Sequence, residues 1–136
     1  MRNLIISKLD SDRLRDRLLN IKNKTGKLNP ELGLLLGELD KAELVEPESM
    51  PDDVITMNSK VKVKLSNNDK TMEFQIVYPE KADMKKGRIS IFAPVATALL
   101  GYRKGDRVKW QVPSGEVTIT IEDILYQPEA AGEYEL

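Results

Sequence analysis

The sequence predicts an α+β protein in two parts: an antiparallel helix hairpin over residues 1–47, then a unit of antiparallel strands with one short helix over residues 48–136. Three observations carry this. Apolar residues between Leu14 and Ala42 recur at helical spacing. Those from Val61 onward recur mostly with period two, the spacing of a half-buried strand. Between the two patterns, Glu46-Pro47-Glu48-Ser49-Met50-Pro51 holds two prolines that no helix interior accommodates.

Leu4-Ile5-Ile6 reads as a short extended lead. Asp10 or Ser11 is placed to accept from the free N–H groups of a first helix, in which Leu14, Leu18 and Ile21 share one face. A helix of about 13 residues would span roughly 20 Å. Thr25-Gly26-Lys27 breaks it. Asn29 then caps a second helix with Pro30 in its first position, and Leu32, Leu35, Leu36, Leu39 and Ala42 form its apolar stripe. Helices joined by so short a connection pair as a hairpin.

In the second part, Val61, Val63 and Leu65 alternate with lysines, Asn67-Asn68-Asp69 turns the chain, and Met72, Phe74, Ile76 and Tyr78 alternate with polar residues, which describes a β-hairpin. Residues 79–87 are loop and 88–92 a third strand. Pro94 suits the first position of a helix because its missing N–H has no intrahelical acceptor to lose, and Gly101 suits the left-handed residue that ends it. Gly105-Asp106 reverses the chain into 107–112, where Val108, Trp110 and Val112 point one way, and a last strand covers 116–126. Such a set of elements packs a helix across one face of a twisted sheet, with Leu99, Leu100 and Trp110 inside.

The chain has 136 residues, 40% hydrophobic and 32% charged, with no cysteine and no histidine. This composition fits an ordinary globular protein, and no apolar run approaches the 18 or so residues of a membrane span. The N-terminus lacks a signal-peptide core, so the expected location is cytoplasmic. The missing histidines remove the commonest general base, the commonest transition-metal ligand and any phosphohistidine chemistry.

A net charge of −1 argues against broad binding to nucleic acid, which a basic surface must drive. The charges are nevertheless segregated: residues 11–28 carry six cations and two acids, while residues 29–53 are strongly acidic with Lys41 as their one cation. Paired helix arms of opposite charge assist docking, but exposed ion pairs contribute only about 0–1 kcal/mol each, so the leucine stripes must hold the hairpin.

Other features read as structural. Glu122 and Asp123 are neighbours in a strand and face opposite ways, and Asp52-Asp53 follows Pro51 as turn or capping residues, so no metal site is expected. Gly101, Gly105 and Gly115 lack phosphate-loop spacing. Lys60, Lys62 and Lys64 line one strand face, as a solvated face or as protection of a sheet edge.

The run Ala93-Pro94-Val95-Ala96-Thr97-Ala98-Leu99-Leu100-Gly101-Tyr102, followed by Lys104-Gly105-Asp106, Trp110, Pro113-Ser114-Gly115 and Ile119 to Tyr126, resembles the C-terminal domain of the GreA/GreB transcript-cleavage factors, an FKBP-like fold. Met50-Pro51-Asp52-Asp53-Val54-Ile55-Thr56-Met57-Asn58-Ser59, with the ending Tyr126-Gln127-Pro128-Glu129-Ala130-Ala131-Gly132, is similar to the Rnk branch of that superfamily, the regulators of nucleoside diphosphate kinase. The resemblance covers most of residues 28–134. It implies that the C-terminal segment docks, with Tyr134 as its anchor.

The resemblance further implies a transcription regulator that binds bacterial RNA polymerase near its secondary channel. Ala93, Pro94, Val95, Thr97, Tyr102 and Arg103 would contact polymerase, and Lys22, Lys24 and Lys27 at the hairpin tip would meet an acidic or phosphate surface. Two departures matter. Ala93 stands where Gre factors usually carry serine, as the Rnk branch allows. Gre factors also carry a long coiled coil with tip acids that help hold a catalytic magnesium, whereas Lys22-Asn23-Lys24-Thr25-Gly26-Lys27-Leu28-Asn29 has three lysines and no acid. A cationic tip does not ligate a cation, so no transcript cleavage is expected. The alternative is an interaction module that regulates nucleoside diphosphate kinase or another metabolic enzyme. Prolyl isomerisation would need an aromatic-lined pocket, which one Trp, four Tyr and two Phe scattered along the chain do not supply. No enzyme activity, cofactor, small-molecule substrate, membrane or specific nucleic-acid partner is expected.

Overall fold

A computed structural model of the chain describes residues 4–133. A short strand β1 (Ile5–Ser7) leads into α1 (Lys8–Thr25), which turns back through α2 (Pro30–Asp40) to β2 (Glu43–Val45). The sheet unit follows with β3 (Lys60–Leu65), β4 (Thr71–Val77), β5 (Arg88–Ser90), α3 (Pro94–Leu99), β6 (Arg107–Val112) and β7 (Gly115–Tyr126).

Helix α1 starts earlier than its sequence suggests, and the reason is chemical. Ser7 is the cap, its hydroxyl accepting from the Asp10 amide at 3.1 Å, while the Asp10 carboxylate is occupied elsewhere by the Tyr78 hydroxyl at 2.6 Å. Asp10 and Ser11 are therefore buried inside the first turns, and α1 has 18 residues. At 1.5 Å per residue it reaches about 27 Å, a third longer than the sequence suggests. Its end follows expectation: Gly26 adopts φ 85° and returns its N–H to the Lys22 carbonyl at 2.8 Å. Asn29 caps α2 by accepting from the Leu32 amide at 2.9 Å, with Pro30 beside it.

The base of the hairpin is closed by a feature the pattern did not signal. β1 and β2 pair in parallel, Ile6 opposite Leu44, and each strand is only three residues long, too short to show a period in the sequence. Across the arms, Arg15 meets Asp40 at 2.5 Å, one instance of the opposite charges acting together.

The main sheet has the order β5-β4-β3-β7-β6. β3 pairs antiparallel with β4 and β7, β7 pairs antiparallel with β6, and β5 joins the β4 edge in parallel after the turns at Pro79–Lys81 and Met84–Lys86. β3 is thus central, so its lysines do not guard an edge. They form the solvated face, and the register sets Lys62 between Glu73 and Asp123 on the flanking strands. Opposite charges on neighbouring strands suit such a face.

One hydrophobic core joins both parts. Leu14, Leu18, Leu35 and Leu39 of the hairpin are fully or almost fully buried, in the same cluster as Ile55, Ile76, Leu99, Leu100, Ile119 and Ile121. Trp110 packs at its margin, half-buried. Gly101 marks a close approach: at φ 85° it faces Leu4, and an added Cβ would lie 2.5 Å from Leu4 Cδ1.

The C-terminal segment docks through residues before its expected anchor. Gln127 donates from Nε2 to the Pro51 and Val54 carbonyls at 2.8 and 2.7 Å, and Glu129 accepts from the Thr56 hydroxyl at 2.9 Å. Both side chains are buried. Tyr134 lies outside the described residues.

Candidate partner-binding surface

The chain leading into α3 is held stiffly. Ala93 donates its N–H to the Ser90 carbonyl at 2.9 Å, and the Ser90 hydroxyl accepts from the Phe92 amide at 3.1 Å. Thr97 fastens the first turn from within: its hydroxyl lies 2.5 Å from the Ile91 carbonyl and 3.2 Å from that of Ala93. Pro94 stands exposed on this support, with Ala93 and Val95 half-buried beside it. A proline on a braced loop loses little conformational freedom on meeting a partner.

Tyr102 and Arg103 lie at the other end of α3. Tyr102 is half-buried, and its carbonyl accepts from the Ile55 amide at 2.8 Å. Arg103 is exposed and holds both carboxylate oxygens of Asp53, at 2.9 and 3.2 Å. Of the six residues assigned to partner contact, Pro94 and Arg103 present side chains outward, Ala93, Val95 and Tyr102 do so in part, and Thr97 supports the others.

A groove connects these ends. Near Pro94 it is bordered by Glu31, Leu34 and Trp110, with a volume of about 400 Å³. It continues past Leu34, Gly37 and Ala98 to Tyr102 and Val108, enclosing a further 430 Å³ or so. One wall is therefore α2, which the sequence reading gave only a packing role. The signal was present: Leu34 falls off the buried stripe of Leu32, Leu35 and Leu39 and is 62% exposed. Gly33 and Gly37, one turn apart, flank it, and a Cβ at either would touch nothing within 4 Å. They keep the wall low. Glu31 borders the groove beside Pro94, so the hairpin tip, with Lys22, Lys24 and Lys27 exposed, adjoins the same end.

On the opposite side of the hairpin, directional side-chain contacts fasten α1 to the sheet unit. Arg17 of α1 stacks its guanidinium 4.1 Å from the centre of the Tyr78 ring and donates from Nε to Glu80 at 3.1 Å and from Nη2 to the second Glu80 oxygen. That ion pair holds the Glu80 carboxyl below its usual range. Burial lifts the Asp10 carboxyl from 3.8 to about 6, against the opposing hydrogen bond from Tyr78 and with help from the nearby Glu129 charge. Burial, then Asp10, raises the Tyr78 phenol well beyond its ordinary range. These partners come from separate segments, Asp10 and Arg17 from α1, Tyr78 and Glu80 from the end of β4 and the turn after it, and Glu129 from near the C-terminus, so no local motif announced them.

The comparisons with known proteins agree with this architecture. A family model described as "Transcription elongation factor, GreA/GreB, C-term" matches residues 50–126. The chain belongs to the GreA/GreB family. It is 41% identical over 132 residues to the "Regulator of nucleoside diphosphate kinase" of Escherichia coli strain K12, covering 96% of this chain and 95% of that one. It is 31% identical over 106 residues to the transcription elongation factor GreA of a Sulfurovum species, covering 78% of this chain and 65% of that one. A solved structure of a GreA/GreB transcription elongation factor from Nitrosomonas europaea superposes with a TM-score of 0.75 at 35% identity, covering 93% of this chain and all of that one. The resemblance read from the sequence thus holds along almost the whole chain, hairpin included. These family relatives carry the names of regulators and elongation factors, and no described helix is long and apolar enough to cross a membrane.

Proposed function

We propose that this chain binds bacterial RNA polymerase beside its secondary channel and regulates transcription without stimulating transcript cleavage. The carrying observation is the braced, exposed Pro94 at the head of a groove that runs to Tyr102, in a chain of the GreA/GreB family. Residues 48–136 supply the grip through Ala93, Pro94, Val95, Tyr102 and Arg103, with Thr97 holding the loop. Residues 1–47 supply the second contact, Lys22, Lys24 and Lys27 meeting acidic or phosphate groups. A tip of this charge repels divalent cations, which is why binding occurs without cleavage.

The test is competition for core RNA polymerase against a GreA-type factor. Wild-type chain is expected to bind and be displaced, and a Pro94→Ala/Val95→Asp variant to lose binding. Polymerase supplemented with the chain is expected to show no added transcript cleavage. Absence of binding at micromolar concentration overturns the reading.

The name of the Escherichia coli relative favours one other function, direct regulation of nucleoside diphosphate kinase. Affinity capture with purified kinase and purified polymerase in parallel separates the two.

A further inference from the structure

A cleft of about 540 Å³ opens on the α1 side of the molecule, away from the Pro94 groove. Its cations are Arg13 and Arg17 of α1, Lys81 from the turn after β4, and Arg88 at the start of β5. The acid in its lining is Glu80, which Arg17 already engages. A chain of net charge −1 thus concentrates positive charge in one concavity.

Two residues there lack an internal explanation. Arg88 is half-buried, yet makes no ion pair among the described residues. Asn58 lines the floor at 9% exposure. Its backbone is satisfied, the N–H donating to the Ile76 carbonyl at 2.6 Å and its own carbonyl accepting from Gln75 Nε2 at 2.8 Å. Its side-chain amide has no hydrogen-bond partner among the described residues. Fully enclosed side-chain nitrogens and oxygens are all satisfied there, so this amide opens into the cleft. An amide held at the floor of a cleft with its N–H groups uncommitted to the protein is placed to donate to a ligand that enters.

We infer that this cleft binds a small phosphate-bearing anion, with Arg88, Lys81 and Arg13 facing its charge and the Asn58 amide donating to it. A guanidinium fork matches a phosphate's oxygens, and the volume falls within the few hundred Å³ usual for small-molecule sites. A nucleic-acid strand fits less well, because a polymer needs a basic track that extends beyond one concavity. The site departs from the absence of small-molecule partners expected from the sequence, where Asn58, Lys81 and Arg88 are too far apart to read as a group.

The test titrates the full-length chain with inorganic pyrophosphate at low salt, followed by calorimetry and by the side-chain amide resonances of Asn58. Saturable one-site binding that moves those resonances is expected. Arg88→Gln and Asn58→Gly should each weaken it by about tenfold or more. Glycine is chosen because Asn58 sits at φ 67°, a conformation glycine adopts without strain. A variant with the exposed Lys64 and Lys70 both changed to Gln, which lie outside the cleft, should bind like wild type. The inference is overturned if binding does not saturate, if neither cleft variant weakens it, if the Lys64/Lys70 variant weakens it equally, or if a single-stranded oligoribonucleotide binds while pyrophosphate does not compete.

Discussion

The two helices of the hairpin meet the sheet unit in opposite ways. α1 docks through directional contacts, a buried one from Tyr78 to Asp10 and part-exposed ones from Arg17 to Tyr78 and Glu80, with leucines beneath. α2 buries its stripe too, yet leaves an open groove against α3 and β6, walled by two glycines and an exposed leucine. A hairpin fastened on one side is free to keep the other unfilled. Polar contacts with strict geometry suit the side that fixes orientation, and a low apolar wall suits the side that receives a partner.

The largest expected effect tests whether the hairpin and sheet unit are one folded body. Gly101→Ala puts a methyl group against Leu4 in a left-handed backbone, and overpacking and strain together should cost about 2–4 kcal/mol. Chemical denaturation should show one transition at a lower midpoint, with loss from both parts. Two separate transitions, with only the sheet unit weakened, would divide the body at the Pro47 boundary.

Next in size is the fastened side. The Asp10 carboxyl titrates at about 6 when folded and at 3.8 in its ordinary state. A raised acid is favourable below the lower value, where it is neutral in both states, and that benefit is lost as pH climbs through the higher one. Arg13 and the Tyr78 hydroxyl soften the loss, and Glu129 deepens it. The chain should therefore lose about 2–3 kcal/mol of stability between pH 4 and pH 7 from this group alone. Asp10→Asn keeps an acceptor for Tyr78 and should remove that slope, leaving the variant more stable than wild type at pH 7. Thermal melting across the range checks it; an unchanged slope would assign the dependence elsewhere.

Glu80→Gln should act in the reverse sense and more weakly. Its depressed carboxyl stabilises the fold above its ordinary 4.5, and the contribution is lost as pH falls below that. The pair is part-exposed, so the change should stay within about 1 kcal/mol and shrink with added salt.

The contrast between the sides also explains what was legible. Periodicity exposed the stripes of α1 and α2 and the strands β3, β4, β6 and β7, because each runs long enough to repeat. Pro94 and Gly101 bounded α3 by their backbone chemistry alone. Leu4-Ile5-Ile6 read as extended, but β2, its parallel pairing with β1 and the parallel pairing of β5 were not readable, since three residues carry no period and their partners are set by tertiary contacts. The Pro94 loop was legible through local words. The α2 wall left a signal in Leu34, Gly33 and Gly37, but the Asp10–Tyr78 and Asn58–Arg88 groupings join positions that only the folded sheet brings together.

The smallest expected stability change carries the sharpest functional test. Leu34 is 62% exposed on the open wall, so Leu34→Asp removes little buried surface and should shift the melting midpoint by no more than about 0.5 kcal/mol in equivalent stability. In the groove it sets a charge where an apolar partner surface would lie, and burying an unpaired carboxylate is strongly unfavourable. Affinity for core RNA polymerase should drop about tenfold or more, comparable with the Pro94→Ala/Val95→Asp variant. If Leu34→Asp binds like wild type while the Pro94 variant fails, the contact is confined to the loop, and the groove behind it belongs to a different partner.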